Sequence, residues 1–212
     1  MNKSIILFDL DGTLVNSLND LANAINYTRR YFSLPERTLA EVNSFIGDGL
    51  LNLIQRAFAD IPPTLDIQQP LQIYRDYYLQ HLLDTTLLYP GVKETLPLLS
   101  QNWLLGVVTN KLRLEASKIC THLGIAEYFA VIIGGDTAAN IKPHPEPLLL
   151  ALQQTGADRK RAWMVGDHYT DLAAAAAASF QVCFCAYGLG QMRQERADVV
   201  INSFPELLQV LT

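Results

Sequence analysis

The sequence predicts an α/β protein: a doubly wound, Rossmann-like parallel sheet with a small α-helical domain inserted after its first strand. Three observations predict it. Short apolar, β-rich runs recur at "SIILFD" (4–9), "WLLGVVT" (103–109), "VIIG" (131–134), "AWMVGD" (162–167), "QVCFCA" (181–186) and "DVVI" (198–201). Helical periodicity fills the gaps between them, and continuous apolar strands alternating with helices imply a parallel sheet covered on both faces. The first gap, from Asp9 to Trp103, is far longer than the dozen or so residues a crossover needs, so it carries something extra.

Along the chain, the first strand stops at Asp9, and Asp11 follows in "FDLDGTLVNS". Leu18, Leu21, Ala22 and Ile25 then fall at i, i+3, i+4 and i+7, one face of an amphipathic helix, with Ser17 or Asn16 as its N-cap. Apolar and aromatic residues recur at helical spacing in "GLLNLIQRAFAD" and "LQIYRDYYLQHLL". These segments place a helical domain at 16–85, inserted into a core made of 1–15 and 86–212; the chain re-enters the core near "LYPGVKETLPLL". In "LRLEASKICTHLGI", Leu114, Ser117, Ile119 and Leu123 sit near one helix face and Gly124 suits the C-terminal cap. The alanine run 173–178 reads as a tightly packed helix face.

With 212 residues, half of them apolar, the chain can bury a sizeable core. A net charge of -5 argues against a nucleic-acid partner, which would show as a basic patch. The N-terminus has no leader pattern, and the apolar runs fall short of the ~18 residues of a membrane span. Three cysteines do not make a disulfide framework, and Cys183 and Cys185 alternate as core residues of a strand. The expectation is a soluble cytoplasmic protein, monomer or dimer, with no nucleic-acid or membrane partner.

Ligands of an α/β sheet bind beyond the carboxyl ends of its strands. The predicted strand ends carry Asp9 and Asp11, Thr109 and Asn110, and Asp167; Lys142 follows the third strand in "IKPHPEP", and Asp171 lies one helical turn past Asp167. Residues i and i+2 of an extended segment point the same way, so Asp9 and Asp11 can face one substrate atom. Two neighbouring carboxylates have separated pKa values, so one can attack phosphorus while the other handles the proton of the leaving alcohol and then of water. Asp9 and Asp167 offer hard oxygens to Mg²⁺, and Lys142 adds a fixed positive charge. Thr109 and Asn110 can donate to the transferring group, and Gly12 with Thr13 lets the turn bring N–H groups toward a phosphate. In the insert, Gly49 and Arg56 are candidates for an anionic end of the substrate.

In this order and spacing, "FDLDGTLVNS", "VVTNK", "KPHPEPLL" and "VGDHYTD" resemble the four motifs of the haloacid dehalogenase superfamily. The helical insert is similar to the cap of its phosphatase branch, and "SLNDLANAIN", "IGDGL", "LLYPGVKETLPLL" and "YGLG" extend the resemblance toward the phosphoglycolate phosphatase-like members. The resemblance implies Asp9 as nucleophile and Asp11 as acid and base. It implies Mg²⁺ on Asp9, the main-chain carbonyl of Asp11, and Asp167, with Asp171 behind them. A small phosphorylated metabolite, 2-phosphoglycolate as the best single guess, is the implied substrate. Asn16 stands where family members often carry an acid, and His168 fills a variable position from which it could touch the metal's waters.

The nearest rival is a phosphosugar mutase on the same core and insert, which would return the phosphoryl group to substrate instead of to water. A dehalogenase needs neither the second acid nor the metal. A phospho-accepting signalling module is a different class altogether, but it lacks a long helical insert, and Asp11 beside Asp9 would shorten the life of a stored acyl phosphate.

Overall fold

The computed structural model describes residues 4–61 and 66–211. Its first elements are β1 (Ile5–Phe8), β2 (Val15–Asn16), α1 (Leu18–Tyr31), α2 (Leu39–Phe45), α3 (Leu50–Ala57), α4 (Gln68–His81) and β3 (Leu87–Leu88). They are followed by α5 (Val92–Leu99), β4 (Leu104–Val108), α6 (Arg113–His122), β5 (Phe129–Ile133) and α7 (Glu146–Thr155). The chain closes with β6 (Ala162–Gly166), α8 (Tyr169–Ala178), β7 (Gln181–Cys185), β8 (Val199–Ile201) and α9 (Leu207–Val210).

Six strands form one sheet in the order β5-β4-β1-β6-β7-β8, every pairing parallel. Alternation along β1 shows why its run is apolar throughout. Ile6 and Phe8 pack on one face with α1, α5 and α6, while Ile5 and Leu7 pack on the other with α7 and α8. Each such fully buried aliphatic side chain stabilises the sheet by about 1.5–3 kcal/mol. The fold is the α/β architecture that the strand-helix alternation predicts.

Helices α1 to α4 lie between β2 and β3, two strands too short for any periodicity to reveal. They pair antiparallel, Val15 with Leu88 and Asn16 with Leu87, and so hold the outgoing and returning chain side by side. Asp20 reinforces this ladder from the first turn of α1. Its buried carboxylate accepts hydrogen bonds from the N–H and hydroxyl of both Thr85 and Thr86, at 2.6–3.0 Å.

One expectation about helices is met in position and another needs correction. Ser17 is the N-cap of α1, but its side chain makes no capping bond and reaches Asp11 instead. The inward face of α6 is Glu115, Ala116, Ile119 and Cys120, while Leu114 is largely exposed. A charged residue takes the place that apolar periodicity assigned to a leucine. Gly124 does adopt the left-handed conformation expected just past the end of α6, and Ala174, Ala175 and Ala178 are the packed side of α8.

Candidate active site

The strand order reverses about β1: the chain moves to β4 and β5 on one side, then returns to β6 on the other. A crevice opens beyond the carboxyl ends of strands at such a reversal. Asp9 follows β1, Thr109 follows β4 and Asp167 follows β6, so the three residues meet at that crevice.

Lys142 is fully buried beneath them. Its ammonium donates to the Val108 carbonyl and to Asp171 at 2.6 Å each, and it lies 3.1 Å from Asp9 Oδ1. Those partners account for its three N–H bonds. The Leu10 N–H also donates to Asp9 Oδ1, at 2.7 Å. The Lys142 loop is held in turn by Asn110, whose Oδ1 accepts from the Lys142 N–H and whose Nδ2 donates to the Lys142 carbonyl. Asp171 closes the base of the arrangement, its other oxygen accepting the His168 N–H at the start of α8.

Asp167 sits in a cradle of glycines. A Cβ added to Gly12 would fall 2.0 Å from its Oδ2, and one on Gly188 would fall 2.3 Å from its Cβ. Gly12 adopts φ +86°, a conformation that also favours glycine. Thr13 Oγ1 donates to Asp167 Oδ1, and the N–H groups of Leu189 and Gly190 donate to Oδ2. A carboxylate has about four acceptor positions, so three donors leave room for a cation.

One carboxylate oxygen from each of Asp9, Asp167 and Asp171 lies within 4.8 Å of the others, and all three residues are buried. Burial pushes Asp9 up to about 6, against the pull of Lys142. Burial together with the charges of Asp9 and Asp171 pushes Asp167 up to about 8. Buried carboxylates crowded beside a single ammonium call for more positive charge, and an all-oxygen donor set suits a hard cation such as Mg²⁺. The residues present therefore fit that ion.

Asp11 faces a different partner. The Lys111 ammonium lies 2.9 Å from Asp11 Oδ2 and 3.2 Å from Oδ1, and the Ser17 hydroxyl donates to Oδ1. Lys111 is itself buried, 4.8 Å from the centre of the Tyr78 ring. Sequence reasoning missed Lys111; its place directly after Thr109 and Asn110 at a strand end was the available signal. Glu115 comes to the same corner, where burial raises its pKa against the pull of Lys111.

A cavity of about 70 Å³ separates the sheet from the inserted helices. Asp9, Asp11, Thr109, Asn110, Lys111, Glu115 and Asp167 line it from the sheet side, and Asn43, Ile46, Gly49, Leu53 and Tyr74 from the insert. Direct bonds also cross the gap. Asn110 Nδ2 donates to the Gly47 carbonyl, Asn43 Nδ2 to the Leu189 carbonyl, and the Tyr169 hydroxyl to Asp48.

Some expected residues sit elsewhere. Arg56 does not line the cavity; it pairs with Asp48 and donates to the Phe45 carbonyl. Gly12 and Thr13 pack on Asp167 rather than on the cavity wall, and the Gly12 N–H is taken by the Val15 carbonyl. Both Nδ2 hydrogens of Asn110 are taken, so its side-chain amide has no N–H left for a ligand. His168 lines the cavity with its ring against Gly47, and Nδ1 lies 3.0 Å from the Thr170 hydroxyl.

The arrangement resembles known proteins along its length. The family model for haloacid dehalogenase-like hydrolases matches residues 6–185. A phosphoglycolate phosphatase of Chromobacterium violaceum is 37% identical over 97% of this chain and 95% of its own length. One from Nitrosococcus oceani is 38% identical over 98% and 96%. A crystal structure described as a predicted phosphoglycolate phosphatase from Haemophilus somnus superposes with a TM-score of 0.94 at 35% identity, covering 100% of this chain and 99% of its own. Among the described residues, no helix is long and apolar enough to cross a membrane.

Proposed function

The chain belongs to the haloacid dehalogenase-like hydrolase family and is a phosphoric monoester hydrolase; from that premise we propose that it hydrolyses 2-phosphoglycolate, using Mg²⁺ and an aspartyl phosphate on Asp9. The observation that carries the substrate is a small cavity with Asp9 at one wall and the Lys111 ammonium at another. An ammonium in the same cavity as the phosphoryl-accepting carboxylate suits an ester that carries a second anionic group, which 2-phosphoglycolate has and a hexose monophosphate lacks. The relatives' names point the same way.

The chemistry divides among the residues. Lys142 and the Leu10 N–H hold Asp9 through Oδ1, which leaves Oδ2 without a hydrogen bond among the described residues. Asp9 attacks phosphorus and the bond to the glycolate oxygen breaks, with Asp11 supplying that oxygen's proton. Asp11 then takes a proton from the water that attacks the acyl phosphate, releasing phosphate and restoring Asp9. The Thr109 hydroxyl and the Asn110 N–H stabilise the phosphoryl oxygens as charge shifts. When bound by Asp9, Asp167 and the main-chain carbonyl of Asp11, with Asp171 behind them, Mg²⁺ offsets the repulsion between carboxylate and phosphate. Lys111 receives the substrate carboxylate, and Gly49 flanks it from the insert. Residues 16–85 act as a cap on a core of 1–15 and 86–212, closing to exclude water.

Phosphate release from a panel of phosphomonoesters, with and without Mg²⁺, tests this for wild type and Asp9→Asn. The expected result is fastest release from 2-phosphoglycolate, with magnesium and Asp9 both required. Preference for another ester would overturn the substrate, activity retained in Asp9→Asn would overturn the nucleophile, and isomerisation of a hexose phosphate would favour the mutase.

A further inference from the structure

One peptide group joins the insert to the carboxylate at the end of β6. The Leu189 carbonyl accepts from Asn43 Nδ2 of α2 at 3.0 Å, and the Gly190 N–H donates to Asp167 Oδ2 at 2.8 Å. That carbonyl and that N–H are the two sides of the same trans peptide, so they point in opposite directions: one toward the insert, the other toward the carboxylate. Hydrogen bonds in such a chain polarise one another, so the first strengthens the second. The peptide has little freedom to turn away. A Cβ on Gly190 would lie 2.6 Å from the Asp167 carbonyl oxygen and one on Gly188 2.3 Å from the Asp167 Cβ, so this loop is pressed against Asp167 from both sides of Leu189.

Asn43 is placed for this role and for little else. It lies near the C-terminal end of α2 and lines the cavity, and its Oδ1 is buried without a partner. Its amide is oriented by the single bond to Leu189 among the described residues. The other bonds that cross the gap end elsewhere: Asn110 reaches Gly47, and Tyr169 reaches Asp48. Of these three contacts, only the one through Asn43 continues to an oxygen of Asp167.

We propose that Asn43 is a positioning residue that couples the closed insert to divalent-cation binding, by holding the Leu189–Gly190 peptide against Asp167. The inference rests on the reading of Asp167 as a cation ligand. When the insert is seated, Asn43 fixes the Leu189 carbonyl, the Gly190 N–H stays on Oδ2, and the remaining acceptor position of Asp167 keeps its direction. When the insert lifts, the peptide loses its outer hydrogen bond and the carboxylate gains freedom. By reciprocity, a bound cation that immobilises Asp167 favours the seated insert by the same factor. Partners directly behind metal ligands change metal affinity by about 10–100-fold. Asn43 acts one bond further out, so its effect is smaller.

Manganese(II) is the probe, because free Mn²⁺ is counted directly by its electron paramagnetic resonance signal without any turnover. The titration uses the substrate-free full chain as wild type, Asn43→Ala, Asn43→Leu, Tyr169→Phe and the double variant Asn43→Leu with Tyr169→Phe. The leucine variant keeps the volume of Asn43 without its donor, in case the alanine variant folds poorly. Removal of the Tyr169 hydroxyl loosens the insert without touching the Leu189 peptide. The expected result is Mn²⁺ binding about fivefold weaker in both Asn43 variants, weaker by a smaller factor in Tyr169→Phe, and no weaker in the double variant than in Asn43→Leu alone. Unchanged affinity in the Asn43 variants would overturn the proposal and leave the metal site standing. Further weakening when Tyr169→Phe is added to Asn43→Leu would also overturn it, since closure would then reach the cation without Asn43. A wild-type chain that binds no Mn²⁺ would remove the metal reading itself and this inference with it.

Discussion

Lys111 shows how one side chain can set what a site accepts. Its ammonium is buried against Asp11 and over Tyr78, and Lys111 lines the same cavity as Asp9, Thr109 and Asn110. A buried lysine is held in place only if its charge is met, and here Asp11 does so. A substrate carboxylate brings a second anion to the same ammonium. Lys111→Met removes that partner and nearly preserves the volume. Charge-assisted hydrogen bonds are worth about 1.5–3 kcal/mol, so KM for 2-phosphoglycolate is expected to rise roughly tenfold or more. An ester without a carboxylate, such as phenyl phosphate, should keep its KM, although its kcat falls as Asp11 loses its partner. Steady-state kinetics on both esters decide the matter: equal changes in KM would mean that Lys111 serves only Asp11. Thr109, Asn110 and Asp167 were readable because strand ends are where such a fold binds ligands. Lys111 was not, because a lysine in a turn is ordinarily a solvated one.

At the scale of elements, the six-stranded sheet was legible and the two-stranded ladder was not. Strands buried on both faces leave unbroken apolar runs, which is why all six core strands could be read from the sequence. The ladder of β2 and β3 has only Val15, Asn16, Leu87 and Leu88, too few residues for any pattern. Helix α6 misled for a related reason: Glu115 turns inward toward Lys111, and no hydrophobic period announces a buried charge. The ladder is braced by Asp20, whose carboxylate satisfies two N–H groups and two hydroxyls of Thr85 and Thr86. Asp20→Ala strands the N–H and hydroxyl of buried Thr86 and leaves those of exposed Thr85 to solvent. Unmet buried donors cost about 1–3 kcal/mol each, with some relief from water that enters the gap. A loss of about 3 kcal/mol is expected, lowering Tm by roughly 6–12 °C for a chain of this size. Thermal unfolding followed by circular dichroism reads it directly. A shift of a degree or two would show that the two chain crossings do not rely on this carboxylate.

The whole molecule combines two regions with different means of support. The sheet is held by apolar packing on both faces, whereas the helical insert also leans on an ion cluster. Arg29, fully buried in α1, directs its guanidinium to both oxygens of Asp60 at 2.8 Å and to the carbonyls of Pro35 and Ala57. Arg37 approaches the same carboxylate at 3.1 Å. Arg29, with help from Arg37, holds Asp60 down at about 2 from an ordinary 3.8. A carboxylate whose pKa is lower in the folded chain than in the unfolded chain adds stability above the unfolded value and loses it as pH falls toward the folded one. The contribution of Asp60 is therefore complete above about pH 4–5 and gone near pH 2. Because the Asp60 side chain is 43% exposed, solvent screens the pair and reduces its contribution. Urea unfolding of wild type and Asp60→Asn across pH 2 to 6 tests this. Wild type should be the more stable of the two at pH 5, and the difference should shrink steadily through pH 4 and 3 and vanish near 2. Hydrogen exchange should place the loss in α1 and α3 while the strands keep their protection, since a desolvated Arg29 left without its anion weakens the insert first. A stability difference that stays constant across that range would mean Asp60 acts through its shape and hydrogen bonds alone, and that its charge does not help to hold the insert together.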